Sequence, residues 1–168
     1  MRIGFGYDAH RLDKGHRLML GGVHLKHENG LVSHSDGDVV LHAICDALLG
    51  AAGIGDIGCH FPDTDPQYQG ISSLKLLSSC REKIKQTGYR IVNLDTLILA
   101  EEPKISPHTN QMKQRIAETL EIDPTQINIK ATTMEKMGPF GRGEGIGAYC
   151  TALLTLATPI DSVDEKMS

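Results

Sequence analysis

An acid and an imidazole stand two residues apart near the start of the chain, in the segment GYDAHRL. Asp8 and His10 follow Arg2-Ile3-Gly4-Phe5, a pattern typical of the entry to a strand. On a strand, residues i and i+2 point to the same side, about 6.6 Å apart along the chain, so both side chains can grip one ion. A D-x-H pair also occurs by chance, and the tripeptide alone favours a turn aspartate and a surface histidine.

A second histidine lies in the segment HSDGDVVLHAICDALLG, whose apolar residues recur at helical spacing. Asp38, His42 and Asp46 fall at i, i+4 and i+8, so they share one face of that helix. A solvated polar face is the usual meaning of such spacing. The rest of this helix is strongly apolar, however, and buried polar groups need partners. A metal ion on one nitrogen of His42, with Asp38 or Asp46 holding the other nitrogen, would supply them.

Asp8, His10 and His42 together make a three-ligand metal site. Structural zinc is usually closed by four ligands, often cysteines, whereas a working zinc site keeps one position open. Ser35, followed three residues later by Asp38, predicts the N-cap of the helix, and a helix N-terminus attracts anions. A substrate phosphate would then occupy the open position, provided that Asp36 and Asp38 point away from it.

Four further segments carry polar groups with weaker signals. KATTMEK ends a predicted strand with two hydroxyls and an acid, but Thr132 and Glu135 also fit a capping box. GPFGRGEG offers backbone amides and Arg142 to a phosphate, although a flexible turn is the simpler interpretation. FPDTDP predicts a tight loop whose acids would hold the hydroxyls of a polyol. AEEPKISPH places Lys104 where a nucleotide pocket would fit.

Strands and helices must alternate along the chain to position these residues. The predicted strands are 2–9, 18–20, 23–25, 90–100, 127–131 and 148–157. The predicted helices are 35–53, 72–87 and 106–120, and the predicted loops are 55–70 and 138–147.

The resulting fold class is α/β (α+β), a single mixed sheet with helices packed on one face. The strand 90–100 has apolar residues on both faces, which predicts that the other face of the sheet is buried against further subunits. The chain of 168 residues shows no linker, so one domain is expected over 1–157, followed by a polar C-terminal tail over 158–168.

Composition argues against two classes of partner. The net charge of -4 and the absence of Trp are unlike a nucleic-acid binder, which needs a basic surface and stacking aromatics. The stretch from Val39 to Gly53 is too short and too polar to span a membrane, since it contains His42 and Asp46. The four cysteines include no CxxC pair, so we interpret them as reduced thiols of a cytoplasmic protein.

Taken in their order and spacing, these segments resemble one family over nearly the whole chain, from Arg2 to about Ala157. The family is 2-C-methyl-D-erythritol 2,4-cyclodiphosphate synthase, an enzyme of the non-mevalonate isoprenoid pathway. The motifs that carry the resemblance are GYDAHRL, HSDGDVVLHAICDALLGAAGIGDIG, FPDTDP, PKISPH, KATTMEK and GRGEG. The resemblance implies a lyase. The 2-phosphate of 4-diphosphocytidyl-2-C-methyl-D-erythritol 2-phosphate attacks the β-phosphorus, a cyclic diphosphate closes, and CMP leaves.

The resemblance also implies roles residue by residue. Asp8, His10 and His42 match the ligands of Zn²⁺, one per subunit, and Glu135 matches the ligand of a second cation, Mg²⁺ or Mn²⁺. His34 and Thr133 match the catalytic residues that orient and stabilise the phosphates. The implied substrate contacts are Asp8, His10, His34, Ser35, Asp56, Gly58, Phe61, Asp63, Ala100, Pro103, Lys104, Ile105, Thr132, Thr133, Glu135 and Arg142.

Members of the resembled family are homotrimers with sites between neighbouring subunits. The implied partners are therefore further copies of the chain and a cytidine diphosphate-type small molecule. Arg142 and Glu144 match residues near the trimer axis, where an isoprenoid diphosphate can bind. This sequence departs from the family at two positions. Phe5 stands where a histidine is often found, and Pro139 stands where the family usually has phenylalanine, with Phe140 following.

Two other functions would use the same residues. A zinc phosphohydrolase would activate water as its nucleophile, so ¹⁸O from water would appear in its phosphate product. A trimeric binding module with a structural metal would lose its assembly when His42 is replaced by alanine, whereas the synthase would stay trimeric and release no CMP. The missing fourth ligand argues against a structural metal.

Overall fold

Seven strands and five α-helices make up the computed structural model, which describes residues 1–157. The strands are β1 (Arg2–Lys14), β2 (Leu18–Leu20), β3 (Val23–Leu25), β4 (Asn29–Leu31), β5 (Tyr89–Leu99), β6 (Ile127–Thr132) and β7 (Gly145–Leu156). The helices are α1 (Val39–Ala52), α2 (Ile57–His60), α3 (Ser73–Gln86), α4 (Thr109–Leu120) and α5 (Gly138–Gly141). None of these helices has the length and apolar composition that a membrane span requires. The predicted tail, 158–168, lies outside the described residues, so the division of the chain at Ala157 stays a prediction.

Five strands form one mixed sheet in the order β4-β1-β7-β5-β6, and β2 and β3 form a separate hairpin across Gly21-Gly22, as predicted. β7 lies between β1 and β5 and runs antiparallel to both, whereas β5 and β6 are parallel. A parallel pair needs a crossover connection, and the segment containing α4 supplies it. The mixed α/β class predicted from the sequence is confirmed.

Helix α1 packs directly on β1 and β7, and two glycines of β1 make this approach possible. A Cβ atom at Gly4 would stand 1.9 Å from the carbonyl oxygen of Ala47, and one at Gly6 would stand 2.0 Å from that of Ala43. Any larger residue would push the helix away from the strand. Because side chains alternate along a strand, the face that carries these glycines also carries Asp8.

The opposite face of β1 carries large apolar side chains. Ile3 is 74% exposed, Phe5 is 64% exposed and Tyr7 is 44% exposed. Tyr149 of β7 lies beside them, with its ring centroid 4.7 Å from that of Tyr7. A cluster of this kind on an open sheet face is typical of a surface that another chain covers. That an oligomer covers it stays a prediction.

The start of α1 differs from the expectation. Its N-cap is Asp38 rather than Ser35, because the carboxylate of Asp38 accepts from the backbone N–H of Leu41 at 3.2 Å. The same carboxylate accepts from the N–H groups of Gly21 at 2.9 Å and Gly22 at 2.7 Å. Serine and aspartate are equally good caps, so these contacts from the β2–β3 turn decide between them.

Most other element boundaries are close to the predicted ones, but β1 continues to Lys14, five residues beyond its predicted end, and β4 was not predicted. Helix α1 ends at Gly53 in the left-handed conformation (φ 74°), as predicted. The predicted loop 55–70 contains α2 and a 3₁₀ turn, and the predicted loop 138–147 contains α5 and the first residues of β7. The helix expected from Ser106 begins as a 3₁₀ turn and becomes α-helical at Thr109. Such short helices are hard to predict from the sequence, because Gly, Pro and Asp are common both in turns and at the starts of helices.

Candidate metal centre and its cavity

Three side chains converge where β1 passes the first turns of α1. Oδ2 of Asp8 lies 2.8 Å from Nδ1 of His42 and 3.1 Å from Nε2 of His10, and the two histidine nitrogens are 3.3 Å apart. This metal triad is the cluster that the sequence predicted. Within residues 1–157 it is the one group of at least three such side chains whose donor atoms meet this closely.

Both elements position their ligands by regular geometry. Asp8 and His10 are two residues apart on β1, so both face α1. His42 lies one helical turn after the N-cap, and its N–H donates to the carbonyl oxygen of Asp38 at 3.0 Å. The close contact at Gly6 holds the helix against the strand, and the imidazole of His42 therefore reaches Asp8.

The separations in the metal triad suit a small tetrahedral cation. Zinc binds nitrogen and oxygen ligands at about 2.0–2.1 Å, so two ligands of a tetrahedron are about 3.3–3.4 Å apart. The three separations here run from 2.8 to 3.3 Å. Two imidazoles and a carboxylate that leave the fourth coordination position open are the ligand set of a catalytic metal site, whereas a structural site is closed by four ligands. The residues present therefore fit a divalent metal.

Members of the triad also shift one another's pKa values. Burial alone would raise the pKa of Asp8, yet hydrogen bonds from His10 and His42 hold it well below its usual range. Burial alone would lower the pKa of His42, yet the hydrogen bond and the charge of Asp8 raise it. Asp8 is therefore ionised at neutral pH, which is the state that binds a cation.

Two serines hold the remaining nitrogen of His42. Nε2 lies 3.0 Å from Oγ of Ser35 and 3.0 Å from Oγ of Ser73, the first residue of α3. The expectation that Asp38 or Asp46 would hold this nitrogen is wrong. Asp38 accepts from three backbone N–H groups, and Asp46 accepts from the first N–H of α2 at 2.8 Å. Both acids fasten neighbouring segments to α1 instead.

The metal triad opens into a cavity of about 350 Å³. Its walls bring together several of the substrate contacts implied by the resemblance, namely Asp8, His10, His34, Ser35, Gly58, Phe61 and Asp63. Asp56 is not among the lining residues and serves as the N-cap of α2, where its Oδ1 accepts from the N–H of Cys59 at 2.8 Å.

The cavity also has walls that the sequence did not single out. They include Ser33, Ile57, Tyr68, Ile71 and Leu76. Tyr68 meets Phe61 edge to face, with ring centroids 5.6 Å apart, and forms an apolar wall. The FPDTDP motif pointed toward this loop, but nothing in the sequence pointed to Ile71 or Leu76, because folding rather than spacing brings the start of α3 to the site.

The other implied contacts lie at and beyond the carboxyl ends of β5 and β6. Because these strands are parallel, their ends meet at one edge, where the N–H of Ala100 donates to the carbonyl oxygen of Thr132 at 3.1 Å. This strand-end cluster comprises Ala100, Pro103, Lys104, Ile105, Thr132, Thr133 and Glu135. In the part of the chain that the structure describes, none of them lines the cavity of the metal triad. One chain thus holds most of the implied contacts in two separate groups, to which Asp56 and Arg142 do not belong.

Glu135 and Lys136 both have a left-handed backbone, with φ of 50° and 64°. Non-glycine residues adopt this conformation rarely, and two in succession store strain of the kind found at functional sites. The hydroxyl of Thr133 donates to Oε1 of Glu135 at 3.1 Å. Strand β6 ends at Thr132 and no helix starts there, so the capping-box interpretation of KATTMEK is wrong.

A model of the YgbB family matches residues 1–155. The chain belongs to this family. The 2-C-methyl-D-erythritol 2,4-cyclodiphosphate synthase of Syntrophomonas wolfei subsp. wolfei is 52% identical, over 94% of this chain and 100% of that relative. The synthase of the same name from Desulfatibacillum aliphaticivorans is 56% identical, over 92% of this chain and 99% of that relative. The structure also matches the CDP complex of IspF from Plasmodium falciparum, with a TM-score of 0.82 and 37% identity, over 94% and 97% of the two chains. The resemblance predicted from the motifs is confirmed.

In this YgbB-family chain Pro139 stands where the resemblance implied a phenylalanine, and the structure shows where the ring of the following Phe140 lies. Phe140 packs on β7, where a Cβ atom at Gly147 would lie 2.9 Å from Cζ of the ring. Arg142 pairs with Glu144 and lines a larger cavity, of about 1070 Å³. The candidate functional site is the smaller cavity, which contains the metal triad.

Proposed function

We propose that the chain is a 2-C-methyl-D-erythritol 2,4-cyclodiphosphate synthase of the non-mevalonate isoprenoid pathway, the activity for which its relatives are named. The 2-phosphate of 4-diphosphocytidyl-2-C-methyl-D-erythritol 2-phosphate forms a bond to the β-phosphorus, the bond between that phosphorus and the oxygen of the α-phosphate breaks, and CMP leaves. The observation that carries this proposal is the convergence of Asp8, His10 and His42 at a cavity that also holds His34 and Ser35.

The proposed cofactors are Zn²⁺ on Asp8, His10 and His42 and Mg²⁺ or Mn²⁺ on Glu135. When bound, these cations supply positive charge that offsets the charge developing on the phosphates and on departing CMP. Glu135 suits its role because its carboxylate is exposed three residues after the end of β6 and accepts a hydrogen bond from Thr133.

The side chains that position the phosphates are His34 and Ser35, beside the metal triad, and Thr133, from the strand-end cluster of a neighbouring subunit. His34 and Ser35 line the cavity next to His42, so they reach a phosphate that is bound there. His34 and Thr133 orient the attacking and leaving groups and donate hydrogen bonds to oxygens on which charge develops. The chain needs no nucleophile of its own, since the attacking oxygen belongs to the substrate.

The erythritol and ribose hydroxyls are assigned to α2 and the loop that follows it. Asp56 and Asp63 are exposed carboxylates that accept hydrogen bonds from hydroxyl groups. Gly58 lines the cavity without a side chain that would crowd the ligand, and Phe61 supplies an apolar wall.

The cytidine pocket is assigned to the strand-end cluster, and a neighbouring subunit supplies it. Ala100 and Ile105 are buried, whereas Lys104 and Thr132 are exposed at the same edge. Because one chain keeps this cluster away from the metal triad, a site between subunits unites the two groups. A homotrimer that buries Phe5 and its neighbours would build three such sites, and the number three rests on the family resemblance.

The proposal has two further features, an axial ligand that rests on the resemblance and a cellular location. The axis of the trimer would accept an isoprenoid diphosphate near Arg142, whose guanidinium pairs with Glu144. The protein would work in the cytoplasm, a location inferred from its cysteines rather than from the resemblance, since all four are free and Cys59 alone is exposed.

The experiment is an incubation of the purified, zinc-loaded protein with the diphosphocytidyl substrate and Mg²⁺ or Mn²⁺ in ¹⁸O-labelled water. We expect CMP release together with the ³¹P signals of a cyclic diphosphate, and no ¹⁸O in either product. Label in the phosphate product would instead identify a hydrolase. Folded protein that releases no CMP would reject the synthase.

A further inference from the structure

A hydrogen-bonded chain runs from the metal triad to the start of α3. His42 Nε2 lies 3.0 Å from Oγ of Ser73, and this hydroxyl donates to Oδ1 of Asp36. The backbone N–H of Ser73 donates to the other oxygen of Asp36 at 3.0 Å. The side chain of Ser73 is fully buried. The sequence motifs predicted no function for Asp36 beyond its charge, and they did not point to Ser73.

Counting protons along this chain fixes the direction of each hydrogen bond. A carboxylate only accepts, so the single proton of the Ser73 hydroxyl is used toward Asp36. The oxygen of Ser73 can then only accept from His42, and Nε2 of His42 must carry a hydrogen. In the neutral ring, the lone pair is therefore on Nδ1, the nitrogen that faces Asp8 and His10.

The other ring nitrogen of His42 faces Asp8, which competes with Ser73 for the hydrogen of the neutral ring. Nδ1 of His42 lies 2.8 Å from Oδ2 of Asp8, so in the metal-free protein a hydrogen on Nδ1 can bridge the two atoms, and a bound cation takes the place of that hydrogen. The tautomer set by Ser73 is thus the one that a metal ion needs. The opposite tautomer would place an N–H bond where the metal must be.

We propose that Asp36 and Ser73 are positioning residues that lock His42 with its Nδ1 lone pair toward the metal triad and so preorganise the metal site. This inference rests on the proposed metal site and adds two residues that touch neither metal nor substrate. Partners of this kind fix the tautomer and the ring orientation of a metal-binding histidine.

Ser35 is the competing partner of Nε2, at the same distance of 3.0 Å. Its hydroxyl accepts from the N–H of Gly37 and shares a contact with the hydroxyl of Ser33, but no carboxylate takes its proton. Ser35 can therefore donate or accept toward His42, and it does not select a tautomer. Ser73 selects the tautomer of His42, because the Ser73 hydroxyl donates its hydrogen to Asp36 and can only accept from the imidazole.

The test compares Ser73→Ala and Asp36→Asn with Ser79→Ala, a variant of an exposed serine on the same helix. Zinc affinity is measured by competition with a chromophoric chelator. We expect Ser73→Ala to bind zinc about 10- to 100-fold more weakly, Asp36→Asn to weaken it in the same direction, and Ser79→Ala to match the parent. The double variant should be little worse than Ser73→Ala alone, since both residues act through one hydroxyl.

A second measurement does not depend on the metal. Imidazole ¹⁵N spectra of the zinc-free protein, recorded at a pH where the His42 ring is neutral, should show a larger fraction of the Nε2–H form in the parent than in Ser73→Ala, because Asp8 favours the opposite tautomer. Equal zinc affinity and an unchanged tautomer in Ser73→Ala would overturn the inference while leaving the synthase intact. A parent protein that binds no zinc but keeps the Nε2–H form would reject the proposed metal and retain the tautomer lock.

Discussion

Gly6 of β1 and Ala43 of α1 are in backbone contact, with the strand glycine facing the carbonyl oxygen of the helix residue. Ala43 directly follows His42, so the depth at which the helix sits on the strand also sets the reach of the imidazole toward Asp8. The missing side chain at Gly6 is therefore a requirement of both the fold and the metal triad.

We expect Gly6→Ala to destabilise the protein by about 1–3 kcal/mol or more, because the new methyl group would have to displace α1. Its zinc affinity should fall as well, since His42 moves with the helix. Urea unfolding and chelator competition measure the two effects.

The matched control is Gly50→Ala, in the same helix. A Cβ atom at Gly50 meets nothing within 4 Å, and alanine is the better helix former. This variant should therefore gain about 0.5–1 kcal/mol. A stable Gly6→Ala protein with normal zinc affinity would contradict the role given to the contact.

His42→Ala tests the metal triad as a working site. The variant should fold and assemble like the parent, bind zinc at least about 100-fold more weakly, and lose CMP release in proportion. The readouts are metal content, oligomeric state by light scattering, and turnover of the diphosphocytidyl substrate. His24→Ala, a change at an exposed position of β3, serves as the control. Loss of assembly with His42→Ala would favour a structural metal instead.

Asp38→Asn isolates the contact between the β2–β3 turn and α1. The carboxylate accepts from three backbone N–H groups, and an asparagine side chain would turn an NH₂ group toward at least one of them. We expect a loss of about 1–3 kcal/mol in the free energy of unfolding, the cost of an unsatisfied buried group. Asp13→Asn, at an exposed site, should change stability by less than about 0.5 kcal/mol. Equal stabilities of the two variants would remove the role given to Asp38.

Glu135→Gln separates the two proposed cations. The variant should keep its zinc, because Glu135 lies in the strand-end cluster, yet turn over about 100-fold more slowly as the second cation is lost. Metal analysis and CMP release measured over a range of Mg²⁺ or Mn²⁺ concentrations distinguish these effects. Glu118→Gln, on the exposed side of α4, controls for the change of charge. Turnover that stays at the parent's value would remove Glu135 from the mechanism.

The metal triad was predictable because each of its ligands lies in a segment whose sequence shows the periodicity of a strand or a helix. Asp8 and His10 obey the two-residue repeat of a strand, and His42 belongs to an apolar helix in which a polar residue needs a partner. The end of α1 at Gly53 was predictable for the same reason, since a left-handed cap favours glycine. Local rules of this kind need no knowledge of the rest of the chain.

The partners of His42 were not predictable because they depend on tertiary contacts. Ser73, the first residue of α3, comes 31 residues after His42 of α1, and the sequence spacing between two helices does not predict whether their side chains meet. The capping role of Asp38 was likewise decided by Gly21 and Gly22, which come from a hairpin that precedes it in sequence. Ser35 and Asp38 have similar preferences for the N-cap position, so tertiary packing rather than capping propensity decided which of them caps α1.

Phe5→Asp tests the proposed assembly. Phe5 lies 5.8 Å from Tyr149, ring centroid to ring centroid, on the open face of the sheet, and it is 64% exposed in one chain. An aspartate at position 5 is solvated in a monomer and destabilises it little, but in a trimer its charge would be buried without a partner in the subunit interface. We therefore expect dissociation into folded monomers. Because the cytidine cluster and the metal triad would then separate, CMP release should fall with the trimer fraction while zinc stays bound. Gln114→Asp adds the same charge on exposed α4 and should leave a trimer. Monomers with undiminished turnover would show that one chain holds a complete site.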